Sequence, residues 1–318
     1  MKKIKYKIIK DVCGFILFFI FFAIIYYYVQ LLIIPKSPLN STAAVDGFYA
    51  LEENTMDVIF LGSSQMFCTV DGRILAEEYG IESYDFGASS QQLGITYYYF
   101  QECLKEQSPK VVMVEACKIF DQDAKFAEGA IAWNYAPMPL SKEQVISANK
   151  LFDGDWKKTI NYCVLPLFTY HSRWEMLEKY DIEYIFEEDR TYSTRGFLHR
   201  ETVNKVDILY NTEDEKTYTI PEENVEAILN IVNLAEEENI KVVFFKAPVA
   251  NWTKTQSDIV KRFMEENNIE YIEMNDYLEE LDIDAQTDFH NVAHLNSFGA
   301  EKATRFIGEY LLSLEELK

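Results

Sequence analysis

Val12 to Ile34 is an unbroken run of 23 residues without a charge, VCGFILFFIFFAIIYYYVQLLII. A helix rises about 1.5 Å per residue, so one of this length crosses the roughly 30 Å hydrocarbon core of a bilayer. A stretch apolar on every side suits lipid better than the half-wet surface of a globular domain. The run reads as a transmembrane helix over residues 12–34, leaving residues 36–318 to fold beside it. Lys2, Lys3, Lys5, Lys7 and Lys10 precede it. Basic flanks stay in the cytoplasm, which makes residues 1–11 a cytoplasmic tail and puts the body outside the cell membrane. Tyr26, Tyr27 and Tyr28 lie toward the outer end, where aromatic rings favour the interface. A cleaved signal peptide is the competing reading. Its apolar core is about 7–15 residues long and ends at a small-residue site, whereas Thr42-Ala43-Ala44 lies too far from this run.

The whole chain carries 30 basic and 52 acidic residues, a net charge of −22. The five lysines and Asp11 stand ahead of Pro35, so residues 36–318 hold 25 basic against 51 acidic residues, a net −26. A body that acidic repels a phosphate backbone, which excludes nucleic acid as a partner. With 48% hydrophobic residues it has the side chains for a full core, which excludes disorder as the main state. Cys68, Cys103, Cys117 and Cys163 lie outside the span at wide spacings and without a CxxC pair, so neither a zinc site nor a disulfide framework is signalled. Pairing among the four stays open.

Short apolar runs rich in β-branched residues alternate with helical periodicity, the pattern of a parallel sheet covered on both faces. The expected strands are Asp57–Leu61, Glu82–Phe86, Lys110–Val114, Lys241–Phe245 and Glu270–Glu273. Helices are expected over Arg73–Tyr79, Leu93–Lys105, Glu222–Glu238, Thr253–Asn267 and Ser297–Ser313. Residues 35–55 read as a linker and residues 56–318 as the folded domain. Between residues 118 and 220 the alternation stops, and this aromatic-rich insertion holds Trp133, Trp156 and Trp174. Within it Asn134–Leu140 is loop-like, and Leu151–Tyr180 carries one or two helices. Such an element beside a sheet forms either a substrate groove or a second core.

Ligands of open α/β sheets bind outside the carboxyl ends of the strands. The first strand runs into Gly62-Ser63-Ser64-Gln65, where a serine at a strand-to-helix turn is placed for nucleophilic attack with backbone N–H groups beside it, or simply caps a helix. Gly87-Ala88-Ser89-Ser90 follows the second strand; its glycine lets backbone approach a ligand, while Ser89 or Ser90 equally suits a helix cap. Asp288-Phe289-His290-Asn291-Val292-Ala293-His294 precedes the last helix and holds two of the four histidines beside an acid and an amide. A general base and its orienting partner from this loop complete a serine site. His290 and His294 also have the spacing of a zinc helix, but Asn291 replaces the glutamate that acts as base there, so no metal is expected.

Together these segments resemble the SGNH/GDSL hydrolase superfamily, with Gly62-Ser63-Ser64 as its first block, Gly87 as the second-block glycine, and His294-Leu295-Asn296 with Gly299-Ala300 as the last block. The resemblance covers residues ~57–117 and ~240–313. It implies a flavodoxin-like, three-layer α/β/α fold with a five-stranded parallel sheet, and serine esterase or acyltransferase chemistry without a cofactor. On this resemblance Ser64 is the nucleophile, His294 the base, Asn291 or Asp288 its orienting partner, and the N–H groups of Ser64 and Gly87 form the oxyanion hole. Ser63, Gln65, Ser89 and His290 are neighbouring substrate-binding candidates. Among the superfamily, the chain is most similar to membrane-anchored, outward-facing members such as the D-alanyl-lipoteichoic acid transfer proteins. These handle acyl esters of a cell-envelope polysaccharide or teichoic-acid-like polymer beside a membrane-bound O-acyltransferase. Pro166 to Trp174 in the insertion resembles a segment of that group, which makes Arg173 and Trp174 sugar-binding candidates or packing residues. Two departures stand out: Asn291 occupies the position of the last-block Asp, and Glu115-Ala116-Cys117-Lys118 lacks the third-block Asn.

Overall fold

The computed structural model describes residues 2–36, 42–122, 128–187, 193–212 and 216–318. Helix α1 (Lys2–Ile33) is 32 residues long and, over Tyr6–Ile33, long and apolar enough to cross a membrane. Its side chains are exposed from Tyr6 to Ile25 and again at Tyr27 and Tyr28, while Tyr26 and the residues from Val29 onward are partly covered by the body. Helix α2 (Thr42–Tyr49) follows within the stretch expected as a linker. Val45 and Phe48 are buried on one of its faces, and the Phe48 ring stacks on Phe86 at 3.9 Å. The folded domain therefore begins before residue 56.

Strands β1 (Val58–Gly62), β2 (Ser83–Gly87), β3 (Val111–Glu115), β4 (Lys241–Lys246) and β5 (Tyr271–Glu273) form one sheet in the order β2-β1-β3-β4-β5, with every pair parallel. All five match the expected strands to within a residue at each end. Because side chains alternate along a strand, each strand feeds two cores. Ile59, Leu61, Val112, Val114 and Phe244 point to one face, and Val58, Phe60, Met113 and Phe245 to the other. The first face is covered by α2 and by helices over Leu93–Cys103, Lys142–Leu151, Glu222–Glu237 and Lys254–Glu266. The second is covered by α3 (Ser64–Phe67), α4 (Gly72–Tyr79) and the final helix, Ser297–Ser313. Both faces of the sheet are dry, as its continuous apolar strands require.

The insertion is helical. Glu128–Tyr135, Lys142–Leu151, Trp156–Cys163, Pro166–Tyr170 and Lys179–Glu183 are α-helices, with single 3-10 turns at His171–Met176 and Tyr184–Phe186. Asn134 and Tyr135, expected in a loop, end the first of these. Tyr135 stacks on Tyr98 at 5.7 Å and is fully buried in the same core as the sheet, so part of the insertion's aromatic content is core. After the last of these helices the chain returns across the carboxyl edge as an irregular strap. Arg195 O accepts from Asp85 N (2.9 Å), Leu198 N donates to Phe67 O (2.7 Å) and Asn204 N donates to Phe289 O (2.8 Å).

Candidate active site

The site grows from the meeting of β1 and β2 at their carboxyl ends. Gly62 has φ +146°, a conformation open to glycine alone, and Gly87 lies so close that a Cβ on it would stand 2.2 Å from Gly62 O. These glycines let β1 turn sharply into α3. Ser63 takes the N-cap position in extended conformation, yet its side chain makes no cap hydrogen bond. Its hydroxyl instead accepts from the Cys117 thiol at 3.4 Å, and the residue is 2% exposed, which removes it from direct contact with substrate. Ser64 is the first helical residue and keeps a half-buried hydroxyl.

The histidine arrives on a hairpin, where the sequence suggests a loop. Strand β6 (Phe289–Asn291) pairs antiparallel with β7 (His294–Leu295), and Asn291 stands directly opposite His294 across a two-residue turn. Opposed residues of an antiparallel pair share a face and lie within side-chain reach; this is the physical reason for the three-residue spacing. Ala250 N and Asn251 N donate to Val292 O at 2.9 and 3.1 Å and fix the turn to the loop after β4. Asn296 then caps the last helix, its Oδ1 accepting from Phe298 N (3.0 Å) and Gly299 N (3.1 Å).

The Ser64 hydroxyl lies 2.8 Å from His294 Nε2, and Asn291 Oδ1 lies 3.0 Å from His294 Nδ1. The amide orientation of Asn291 follows from its second contact, because Oδ1 also accepts from Ala293 N at 2.9 Å. A carbonyl facing Nδ1 requires the proton there, leaving Nε2 free to accept from Ser64. Asp288 does not take part. It is buried, its Oδ1 accepts from the Thr287 hydroxyl (2.9 Å), and its Oδ2 accepts from Asp284 N and Lys302 Nζ (each 2.8 Å). It braces the start of the hairpin, and the orienting role falls to Asn291.

Burial pushes the His294 pKa down to about 4, and the positive charge of Arg200 adds to the effect, followed by His290, Lys246 and Lys118. Arg200 escapes the sequence reading because it comes from the strap, with no motif around it. Its Nη1 lies 2.9 Å from His290 Nε2, so His290 accepts there and holds its own proton on Nδ1; Nε donates to Cys68 Sγ at 3.3 Å. The His290 ring thus faces Arg200 while the His294 ring faces Ser64, and the two do not converge on a common point.

Beneath the serine lies a buried ion pair. Lys246 Nζ and Glu115 Oε1 are 3.1 Å apart with side chains 1% and 0% exposed. Lys246 also donates to Gln65 Oε1, and Glu115 Oε2 accepts from Cys117 N at 2.9 Å. Gln65 is held from below by this pair, and Glu115 fills the end of β3. Ser89 is buried, with its carbonyl accepting from Asn134 Nδ2 at 3.3 Å; Gln92, and neither Ser89 nor Ser90, is the N-cap of the following helix. Cys117, whose thiol burial raises well above its usual range, is unsuited to nucleophilic work. All five cysteines are free thiols.

Arg173 and Trp174 lie elsewhere. Arg173 Nη1 donates to the carbonyls of Leu32 (3.3 Å) and Ile33 (3.0 Å), and Nη2 pairs with Asp181 at 2.6 Å. The last carbonyls of a helix lack partners and attract cations, which explains this placement at the C-terminal end of α1. No known protein-family profile and no curated protein sequence matches the chain.

Proposed function

We propose that the chain is a membrane-anchored serine acyltransferase or esterase of SGNH type, with its body outside the cell. It acts on acyl esters of a cell-envelope polymer through an acyl-Ser64 intermediate. One observation carries the reading: residues 230 positions apart bring a serine hydroxyl, a neutral imidazole and an orienting amide into one hydrogen-bonded line at the carboxyl edge of a parallel sheet. In the first step Ser64 Oγ attacks the acyl carbonyl while His294 Nε2 takes the hydroxyl proton. The tetrahedral oxyanion is received by the backbone N–H groups of Ser64 and Gly87. His294 then returns the proton to the departing alcohol oxygen, leaving acyl-Ser64. An incoming hydroxyl, from water or a sugar, gives its proton to His294 and takes the acyl group, and His294 passes that proton to the departing Ser64 Oγ.

A test is intact-mass measurement of the full chain in detergent after mixing with a chromogenic acetyl ester. The expected result is an acetyl adduct on Ser64 that decays faster when an acceptor oligosaccharide is added, with acetylated oligosaccharide as product. Decay unaffected by acceptor, with acetate alone released, favours the esterase. A second reading, a polymer-binding subunit of a membrane O-acyltransferase complex, draws on Asn291 and on Glu115 in place of an oxyanion donor. It requires that Ser64→Ala leave envelope acylation intact in cells.

A further inference from the structure

We infer that the outward-facing apolar surface of the insertion, from Trp156 to Phe186, is embedded in the outer leaflet of the membrane and seats the body on the lipid. The inference rests on reading α1 as a span. The side chains of α1 are exposed from Tyr6 to Ile25; Tyr26 and Val29 to Leu32 are half-covered, and Ile33 and the following Ile34 are buried. About twenty residues cross the hydrocarbon core. Counted from Val12, the first residue past the last charge, the core extends to about Leu31. The elements packed on Tyr26 to Ile34 therefore lie at the depth of the acyl chains and headgroups of the outer leaflet.

Those elements belong to the insertion. Tyr26 Oη donates to Val164 O at 3.3 Å, and the contacts of Arg173 with Leu32 and Ile33 lock the 3-10 turn to the end of the span. Lys36 completes the lock, its ammonium donating to Ile34 O at 2.7 Å and standing 3.7 Å from Asp181. Around this junction several large apolar side chains stand exposed. The helix Trp156–Cys163 buries Thr159 and Cys163, yet it exposes Trp156 and Ile160 one turn apart, in line with Val164 beside the span. Phe168 (59% exposed), Trp174 (60%), Met176 (71%) and Phe186 (74%) continue the surface around α1. These apolar side chains alternate with exposed charges such as Lys157, Lys158 and Lys179, the composition of an interfacial surface whose rings enter lipid beside a span while its charges stay at the headgroups. A cavity of about 480 Å³ opens at the same junction, between Tyr27 and Leu31 of α1 and Leu140 and Val164 of the body, with Lys36 and Asp46 also in its lining. The outcome is a fixed height and tilt for the Ser64 edge above the bilayer, where an envelope polymer or a membrane enzyme meets it.

The experiment uses the full chain in nanodiscs of phosphatidylcholine and phosphatidylglycerol, with acyl chains either plain or brominated, because bromine quenches tryptophan on contact. Three forms are compared: the native chain, Trp156→Phe with Trp174→Phe, and that double variant carrying Phe22→Trp. Bromination is expected to dim the native chain. The double variant, which loses two of the four tryptophans, should show less than about half of that quench, and Phe22→Trp should restore it. Quenching equal in the native chain and the double variant, or absent from the native chain while Phe22→Trp is quenched, overturns the platform and leaves the span standing, with the face free for a protein partner. Absence of quenching in all three forms removes the span and the platform together.

Discussion

Asn291 presents a carbonyl, where a carboxylate would bring a charge, to the Nδ1–H of His294. It fixes the tautomer without stabilising the imidazolium that forms when the Ser64 proton arrives. Asn291→Asp is therefore expected to raise the His294 pKa and to increase kcat by at least about tenfold in ester hydrolysis. An unchanged or lower kcat in the folded variant contradicts the assigned role. The pH dependence follows from the same ring. A base must be unprotonated to act, and His294 is held at about 4, below the ordinary 6.5, by burial and then by Arg200. As pH falls, kcat/KM should stay level through 6.5 and drop only near 4. Arg200→Gln removes a nearby positive charge that lowers the His294 pKa, so its acidic limb should move upward by up to about one pH unit. A limb at 6.5 in the native protein, or no movement in the variant, argues against this electrostatic account.

Two elements set the site, and they differ in how far the sequence announces them. β1 is a dry apolar strand ending in Gly62, and its run of Val58 to Leu61 makes it plain. The β6–β7 hairpin is three residues against two, too short for any periodicity to show, and only the spacing of Asn291 and His294 hints at it. The buried Lys246–Glu115 pair, at the carboxyl ends of β4 and β3, is a contact between residues 131 positions apart and has no local signature. Lys246→Met alone strands a buried carboxylate and is expected to cost about 3–5 kcal/mol in unfolding free energy, whereas Lys246→Met with Glu115→Leu should recover most of it. Denaturant unfolding of the native chain, the single variant and the double variant checks this; a single variant as stable as the double one shows that the pair is not desolvated as described. The same distinction accounts for the remaining differences. Helix α2 is only eight residues, and its small side chains make it look like linker until Phe48 meets Phe86. Arg173 reads as a sugar ligand until the open carbonyls of α1 claim it.

At the scale of the whole chain, charge and exposed apolar side chains are unevenly distributed. Five lysines precede the apolar part of α1, residues 36–318 carry a net −26, and exposed rings of the insertion occur on the elements that pack against the end of α1. This polarity predicts that protease added to intact spheroplasts digests the body while sparing a tag placed before Lys2; digestion of the tag with protection of the body reverses the orientation. The proposed acyl chemistry stands only if Ser64 is an activated nucleophile, and fluorophosphonate labelling of the full chain in detergent tests that directly. The account predicts one adduct, mapped by peptide mass to Ser64, absent in Ser64→Ala and slowed at least about a hundredfold in His294→Ala. A folded native chain that takes no label, or labels as fast in Ser64→Ala, contradicts it.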